Sequence, residues 1–174
     1  MKKGTPRMEL LAGTSKTNIL IGSLGTTIIV GRGGNDEIFG DSVNSNGSAD
    51  AIFGNRGDDV LFGCGGNDIL SGGRGADFLS GGIGSDTLRG GRGSDIFNFE
   101  WFSGRGIDSI VDFRHSQDAI YLGIGPQQSS GHLTRNEFAE IVDYNCKTGM
   151  LSIYGDPIAI IENRSIIDHT DIYL

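Results

Sequence analysis

Asp59, Asp68, Asp77, Asp86 and Asp95 stand nine residues apart, each two places after a glycine and two places before an aliphatic or aromatic residue. Neither a helix nor a lone strand repeats at nine, so the interval belongs to a larger unit. Carboxylates at one spacing, set in glycine-rich turns that can bare their main-chain oxygens, suit a hard divalent cation.

The units that carry them are GNRGDDVLF from Gly54, GCGGNDILS from Gly63, GGRGADFLS from Gly72, GGIGSDTLR from Gly81 and GGRGSDIFN from Gly90, in unbroken succession. GRGGNDEIF from Gly31 supplies Asp36, and a unit lengthened by the five residues GDSVN supplies Asp50. GTSKTNILI from Gly13 and GSLGTTIIV from Gly22 keep the length but place Asn18 and Thr27 in the acidic slot. Those two read as an amino-terminal cap with Leu20 and Ile29 in its core.

Six residues of turn and three of strand make a half-coil, so the turns of units n and n+2 stack, with their strands ~4.8 Å apart. The eighth positions, Ile38, Ile52, Leu61, Leu70, Leu79, Leu88 and Phe97, then point between two sheets. Burying each contributes roughly 1.5–3 kcal/mol. Ordering the backbone costs about 1–2 kcal/mol per residue. Stacked aspartates also repel by about 1–3 kcal/mol per pair. A coil with two apolar residues has little margin against these terms, so the array is expected to fold because a metal binds it.

The consensus G-G-x-G-x-D-x-U-x, with U apolar, resembles the hemolysin-type nonapeptide of the RTX (repeats-in-toxin) family, strongly over residues 31–98 and weakly over 13–30. The resemblance implies an all-β fold, a right-handed parallel β-roll with bound calcium, closed by a mixed, mainly β carboxy-terminal cap. It also implies a ligand set. The carbonyls of positions 2 and 4 and the aspartate come from one turn, and those of positions 1 and 3 with a second aspartate come from the turn two units on. Carried onto this chain, one site takes Asn55, Gly57 and Asp59 with Gly72, Arg74 and Asp77. A second takes Cys64, Gly66 and Asp68 with Gly81, Ile83 and Asp86, and a third Gly73, Gly75 and Asp77 with Gly90, Arg92 and Asp95. A fourth, across the insertion, takes Arg32, Gly34 and Asp36 with Gly54, Arg56 and Asp59. Asp50 is a further candidate ligand in the interrupted unit.

Three regions follow: residues 1–30 as the cap of degenerate repeats, 31–98 as the roll, and 99–174 as a capping and secretion-signal region. In the last, Asp108-Ser-Ile-Val-Asp112-Phe113, the Thr148–Leu151 turn and the final Asp171-Ile-Tyr-Leu174 resemble the carboxy-terminal domain of serralysin-type secreted proteases. In that family such a terminus is read by a type I secretion apparatus while the chain is unfolded. The plainer reading makes Ile172 to Leu174 a final strand, and both can hold. A short helix is expected over LTRNEFAEIV, with Thr134 as N-cap and Glu137 completing a capping box. A hairpin is expected to turn at Lys147 to Gly149.

The remaining features narrow the function. A net charge of -8 argues against a nucleic-acid backbone and for cations or a cationic surface. No apolar run is long enough to span a bilayer, and the basic start lacks the apolar stretch of a secretory signal. The expected location is extracellular, reached without an amino-terminal signal. Cys64 and Cys146 could form at most one bridge. His115, His132 and His169 are scattered and no H-E-x-x-H occurs, so the protease centre of serralysins is missing. Asp112 beside His115 and Asp168 beside His169 read as surface pairs, and Gly40-Asp41-Ser42 is too short to mark an esterase. Phe39, Phe53 and Phe62 fall on outward slots of consecutive strands, either as an exposed aromatic strip or as ground covered by the tail. The expected function is calcium-dependent folding of an exported protein, not catalysis. The alternative is a polysaccharide-binding or enzyme-assisting module of a larger secreted enzyme.

Overall fold

The computed structural model describes residues 8–41, 47–100, 106–123, 142–163 and 167–173. Each nonapeptide contributes one strand there: β2 Ile19–Ile21, β3 Thr27–Val30, β4 Glu37–Phe39, β5 Ala51–Arg56, β6 Val60–Gly65, β7 Ile69–Arg74, β8 Phe78–Ile83, β9 Thr87–Arg92 and β10 Ile96–Glu100. β1 Glu9–Ala12 precedes them. After them come β11 Asp108–Ile110, β12 Ala119–Gly123, β13 Val142–Asn145, β14 Met150–Ile153, β15 Asp156–Ile161 and β16 Ile172–Tyr173.

Successive repeat strands fall alternately into two sheets, ordered β1-β3-β5-β7-β9-β11-β15-β14-β13 and β16-β12-β10-β8-β6-β4-β2. Strands n and n+2 pair in parallel, and the register keeps equivalent positions opposite each other: Ile52 with Leu70 with Leu88, and Leu61 with Leu79 with Phe97. This is a β-roll. Its core is the row of eighth positions, Ile38 through Phe97, all fully buried between the sheets. Ile29 is fully buried with them in the amino-terminal units, and Leu20 packs partly buried against the same core.

The five-residue insertion leaves the stacking intact. Ile29 still pairs with Ile52 and Ile38 with Leu61, because the extra length falls between β4 and β5 and not within the strands. Both sheets also run on past the last repeat. β11 and β12 stack in parallel on β9 and β10, and β15 and β16 stack on those in turn. Ile110, Phe113, Ile120 and Leu122 prolong the core, with Phe113 tilted against Phe97 at 6.1 Å between ring centroids. The expected hairpin is present as the antiparallel pair β13–β14, with residues 146–149 in the turn.

Three expectations need correction or lie elsewhere. Phe39 and Phe62 stack at 5.0 Å on neighbouring strands of one sheet, but Phe53 is on β5 in the other sheet. Alternation sends consecutive units to opposite faces, so the three cannot form one strip. The described tail extends the sheets end-on. The expected helix falls on residues outside those described, save Val142, which opens β13.

Because the gap between the sheets is filled by one side chain per strand, losing one leaves a cavity that its neighbours can close only in part. Leu79→Ala is expected to destabilise the roll by about 2–5 kcal/mol, read by denaturant unfolding at saturating calcium.

Candidate metal centre

The aspartates of stacked turns form two ladders, one on each edge of the roll. Along the first, the main-chain N–H of Asn18 donates to Asp36 Oδ1, Asp36 to Asp59, Asp59 to Asp77, Asp77 to Asp95 and Asp95 to Asp118, at 2.8–3.2 Å. Along the second, Thr27 donates to Asp50, Asp50 to Asp68, Asp68 to Asp86 and Asp86 to Asp108, at 2.7–2.9 Å. One oxygen of each carboxylate is therefore spent on the neighbouring turn. The other turns inward. Oδ2 of Asp36, Asp50, Asp59, Asp68, Asp77 and Asp86 is buried without a hydrogen-bond partner, and Oδ1 of Asp41 joins them from the insertion.

The turn glycines explain how such an atom fits. A Cβ on Gly81, the first residue of its unit, would lie 2.2 Å from Asp86 Oδ2, so only glycine leaves the carboxylate its place. At the fourth position Gly84 has φ +136°, and a Cβ there would meet the carbonyl oxygen of Gly66 at 1.6 Å. The second-position carbonyls crowd the next turn in the same way: Asn55 O, Cys64 O and Gly73 O would lie 2.3–2.4 Å from a Cβ on Gly73, Gly82 and Gly91. From the opposite side, the carbonyls of Arg74, Ile83 and Arg92 accept the N–H groups of Gly57, Gly66 and Gly75 at 2.8–2.9 Å. Stacked turns thus crowd carbonyls close to the carboxylates, and the aspartates of units n and n+2 meet throughout, including Asp36 with Asp59 across the insertion. Arg32, Asn55 and Cys64 hold the second position at φ of 80°, 80° and 73°, a left-handed backbone that costs a side-chain-bearing residue about 1–2 kcal/mol.

The electrostatics are unfavourable for the protein alone. Burial, reinforced by the charges of neighbouring ladder aspartates, pushes Asp68 up to about 8 and Asp77 up to about 7. Burial likewise pushes Asp50, Asp59 and Asp95 up to about 6 and raises Asp36, Asp86 and Asp118. A buried carboxylate oxygen without a partner demands a proton or a cation. The donors on hand are all carboxylate and carbonyl oxygens, the set that calcium takes and that zinc, with its nitrogen and sulfur preference, does not. The residues fit calcium.

Asp95 is the exception that shows what the ladder needs. Arg114 places Nη2 2.9 Å from the Gly93 carbonyl, 3.3 Å from Asp95 Oδ2 and 3.4 Å from Asp118 Oδ1. A fixed cation of the chain thus contacts a fourth-position carbonyl and two ladder carboxylates. Asp118 and Arg114, and the places of Asp108 and Asp41 among the buried carboxylates, are not expected from the sequence, because these residues lie outside the nonapeptides or in the insertion. The one available signal was the Asp-x-apolar order of the repeat, kept in DSI and DAI.

The other candidates resolve as structure. Asp171, 1% exposed, accepts hydrogen bonds from the main-chain N–H of Ser116 and Asp168 and lies 2.8 Å from His115 Nδ1, pinning the start of β16. His115 therefore pairs with Asp171, and Asp112 instead receives the N–H groups of Gly90 and Gly91. Cys64 and Cys146 are free thiols.

A family model described as RTX calcium-binding nonapeptide repeat (4 copies) matches residues 12–46, 44–79 and 62–97. Among solved structures, the AlgE6R3 subunit from the Azotobacter vinelandii mannuronan C5-epimerase is similar at 21% identity, with a TM-score of 0.36, over 91% of this chain and 79% of that one. No curated protein matches the sequence.

A carboxyl whose pKa is higher in the folded chain than its ordinary 3.8 stabilises the metal-free fold in acid, and that contribution is lost as pH rises through the folded value. In chelator the roll is therefore expected to be more ordered at about pH 4 than at about pH 8. Calcium reverses the sign: titrated in at about pH 6.5, it must expel protons from Asp68 and Asp77. Calorimetry in two buffers of different ionisation enthalpy reads this, and identical heats would contradict it.

Proposed function

Residues 12–97 belong to the RTX calcium-binding nonapeptide-repeat family, and from that membership we propose that the chain is a secreted calcium-binding module whose roll closes on the ions after export. The observation that carries this reading is the row of buried, unpartnered Oδ2 atoms at Asp36, Asp50, Asp59, Asp68, Asp77 and Asp86. The ligand sets are Asn55, Gly57 and Asp59 with Gly72, Arg74 and Asp77, and Cys64, Gly66 and Asp68 with Gly81, Ile83 and Asp86. Beside them stand Gly73, Gly75 and Asp77 with Gly90, Arg92 and Asp95, and Arg32, Gly34 and Asp36 with Gly54, Arg56 and Asp59. Asp50 extends the second edge toward Asp68, and Asp108 extends it beyond Asp86. When bound, calcium supplies the positive charge that lets these carboxylates ionise side by side.

The chain's own residues do the rest. First-position glycines make room for the carboxylates, fourth-position glycines bring the carbonyls to the next turn, and the eighth positions seal the space between the sheets. At low cytosolic calcium the carboxylates repel and the thin core leaves the repeats unstructured. At about millimolar calcium outside the cell, in the range of extracellular modules, the roll closes. Asp171 and Ile172 are buried in the folded roll. A type I secretion apparatus could read that segment only before β16 docks, so on this reading export precedes folding. The repeat family is a calcium-binding structural module and not a catalytic one.

Calcium added to metal-free protein at neutral pH is expected to convert a disordered far-UV circular dichroism spectrum into a β spectrum cooperatively, and an unchanged spectrum rules the reading out. Arg114→Ala removes the fixed cation between Asp95 and Asp118. It is expected to raise the calcium bound at saturation by one ion per chain, counted by calorimetry or elemental analysis, whereas an unaltered count means that the guanidinium does not hold a metal position.

A further inference from the structure

The third position of the nonapeptide gives calcium only its carbonyl, so its side chain is free, and the two edges of the roll use that freedom differently. On the edge that carries Asp59, Asp77 and Asp95 the third residue is Arg56, Arg74 and Arg92; on the other edge Gly65 and Ile83 stand in that slot. The three arginines end β5, β7 and β9 and pair directly, Arg56 with Arg74 and Arg74 with Arg92. They form one row at the strand spacing of ~4.8 Å. Arg32 and Arg89 line the same groove, of about 760 Å³, over a floor kept low by Ser71, Gly73 and Gly91. A second hollow shares Arg32 and Arg56 and prolongs it toward the amino-terminal turns.

Five of the chain's ten arginines thus meet on one edge of a protein of net charge -8. Among the described residues, the guanidinium of none of the five makes a hydrogen bond or ion pair; the salt bridges there belong to Arg114, His115 and His169. Asp112, the single acid in the groove among the described residues, is held by the N–H groups of Gly90 and Gly91. Like charges in register on neighbouring strands oppose one another. Calcium in the turns beneath would add to the positive potential. A row of this kind is complementary to an anion with the same linear repeat.

We infer that the arginine groove is a binding site for an extended acidic polysaccharide bearing one carboxylate per sugar. Guanidinium groups recognise carboxylates through paired N–H donors, and a row at strand spacing can engage successive sugars of one chain. Nucleic acid fits less well. In a duplex its phosphates advance about 3.4 Å of helix axis per nucleotide of each strand; among the described residues the groove has no aromatic side chain on which a base could stack, and the net charge repels it. The site goes beyond calcium binding, which serves here to assemble the row.

The test uses the calcium-loaded chain with oligogalacturonate as ligand, and the same oligomer with its carboxylates methyl-esterified as the control. Calorimetry is expected to show binding of the free acid, weakening with added salt, and none of the ester. Arg89 lies in the groove but outside the calcium ligand sets. Arg89→Gln is expected to lower the affinity about three-fold while the calcium-induced circular dichroism transition stays that of the parent. Arg56→Gln/Arg74→Gln/Arg92→Gln is expected to lower it at least ten-fold in chain that calcium has folded. Should the triple variant fail to fold, Arg74→Gln alone is expected to lower the affinity about three-fold. Equal binding of the ester, undiminished affinity in a folded variant, or tighter binding of a single-stranded oligonucleotide would each overturn the assignment. A failed calcium transition in the parent chain would instead count against the metal reading, so the two failures are told apart.

Discussion

Everything in this molecule is arranged around carboxylates that cannot be left alone. A roll that stacks equivalent turns at strand spacing must also stack the aspartates in those turns, and translation gives no way of separating them. Each buried carboxylate already accepts the N–H of the turn before it with one oxygen, which fixes its rotamer and points the second oxygen inward. The hydrogen bond that organises the ladder thereby creates the electrostatic problem that a cation must solve. Local order and metal demand are two consequences of one contact.

The rest of the repeat follows from that contact. The first glycine is there because the inward oxygen occupies the space of its Cβ, and the fourth because the carbonyl of the preceding turn does. The core is one aliphatic or aromatic residue per strand, enough to hold two sheets together but too thin to overcome stacked charge unaided. Arg114 shows the same requirement met differently. Where the repeat ends and the turn is built from an irregular sequence, the protein supplies the cation itself, in contact with Gly93, Asp95 and Asp118. A fixed charge at one end gives the growing ladder a terminus that does not depend on the next unit.

How much of this is legible in the sequence depends on whether a feature obeys the period. The strands, the buried eighth positions, the n to n+2 pairing and the stacking of the aspartates all do, because translation along the roll copies each unit's role to the next. The insertion between Gly40 and Asp50 changes the separation along the ladder from 18 to 23 residues without changing the partner, so the register survives it. Beyond Asn98 the spacing becomes 22 and 23 within sequence that no longer carries the glycines, and Asp108 and Asp118 lose their signature while keeping their place. Phe53 fails for the opposite reason. Adjacent units look alike in sequence, yet alternation puts them on opposite sheets, so a pattern read one unit at a time mixes two surfaces.

That alternation is also what permits function to be written onto so constrained a scaffold. A nonapeptide array has few free side chains, since glycines, aspartate and the apolar residue are fixed by the turn, the ion and the core. The third position is released because only its main-chain oxygen faces the stacked turn, as the Gly57 N–H to Arg74 and Gly75 N–H to Arg92 bonds show. Alternate units present this position on alternate edges, so a two-unit rhythm in sequence becomes a one-sided row in space. Arginine at every second unit and residues without charge between them, Gly65 and Ile83, then give one edge a positive line and leave the other without one. A strictly uniform repeat would have placed arginines on both edges and divided the charge. The departure from uniformity, confined to a position the metal does not constrain, is where selection for something other than folding has room to act.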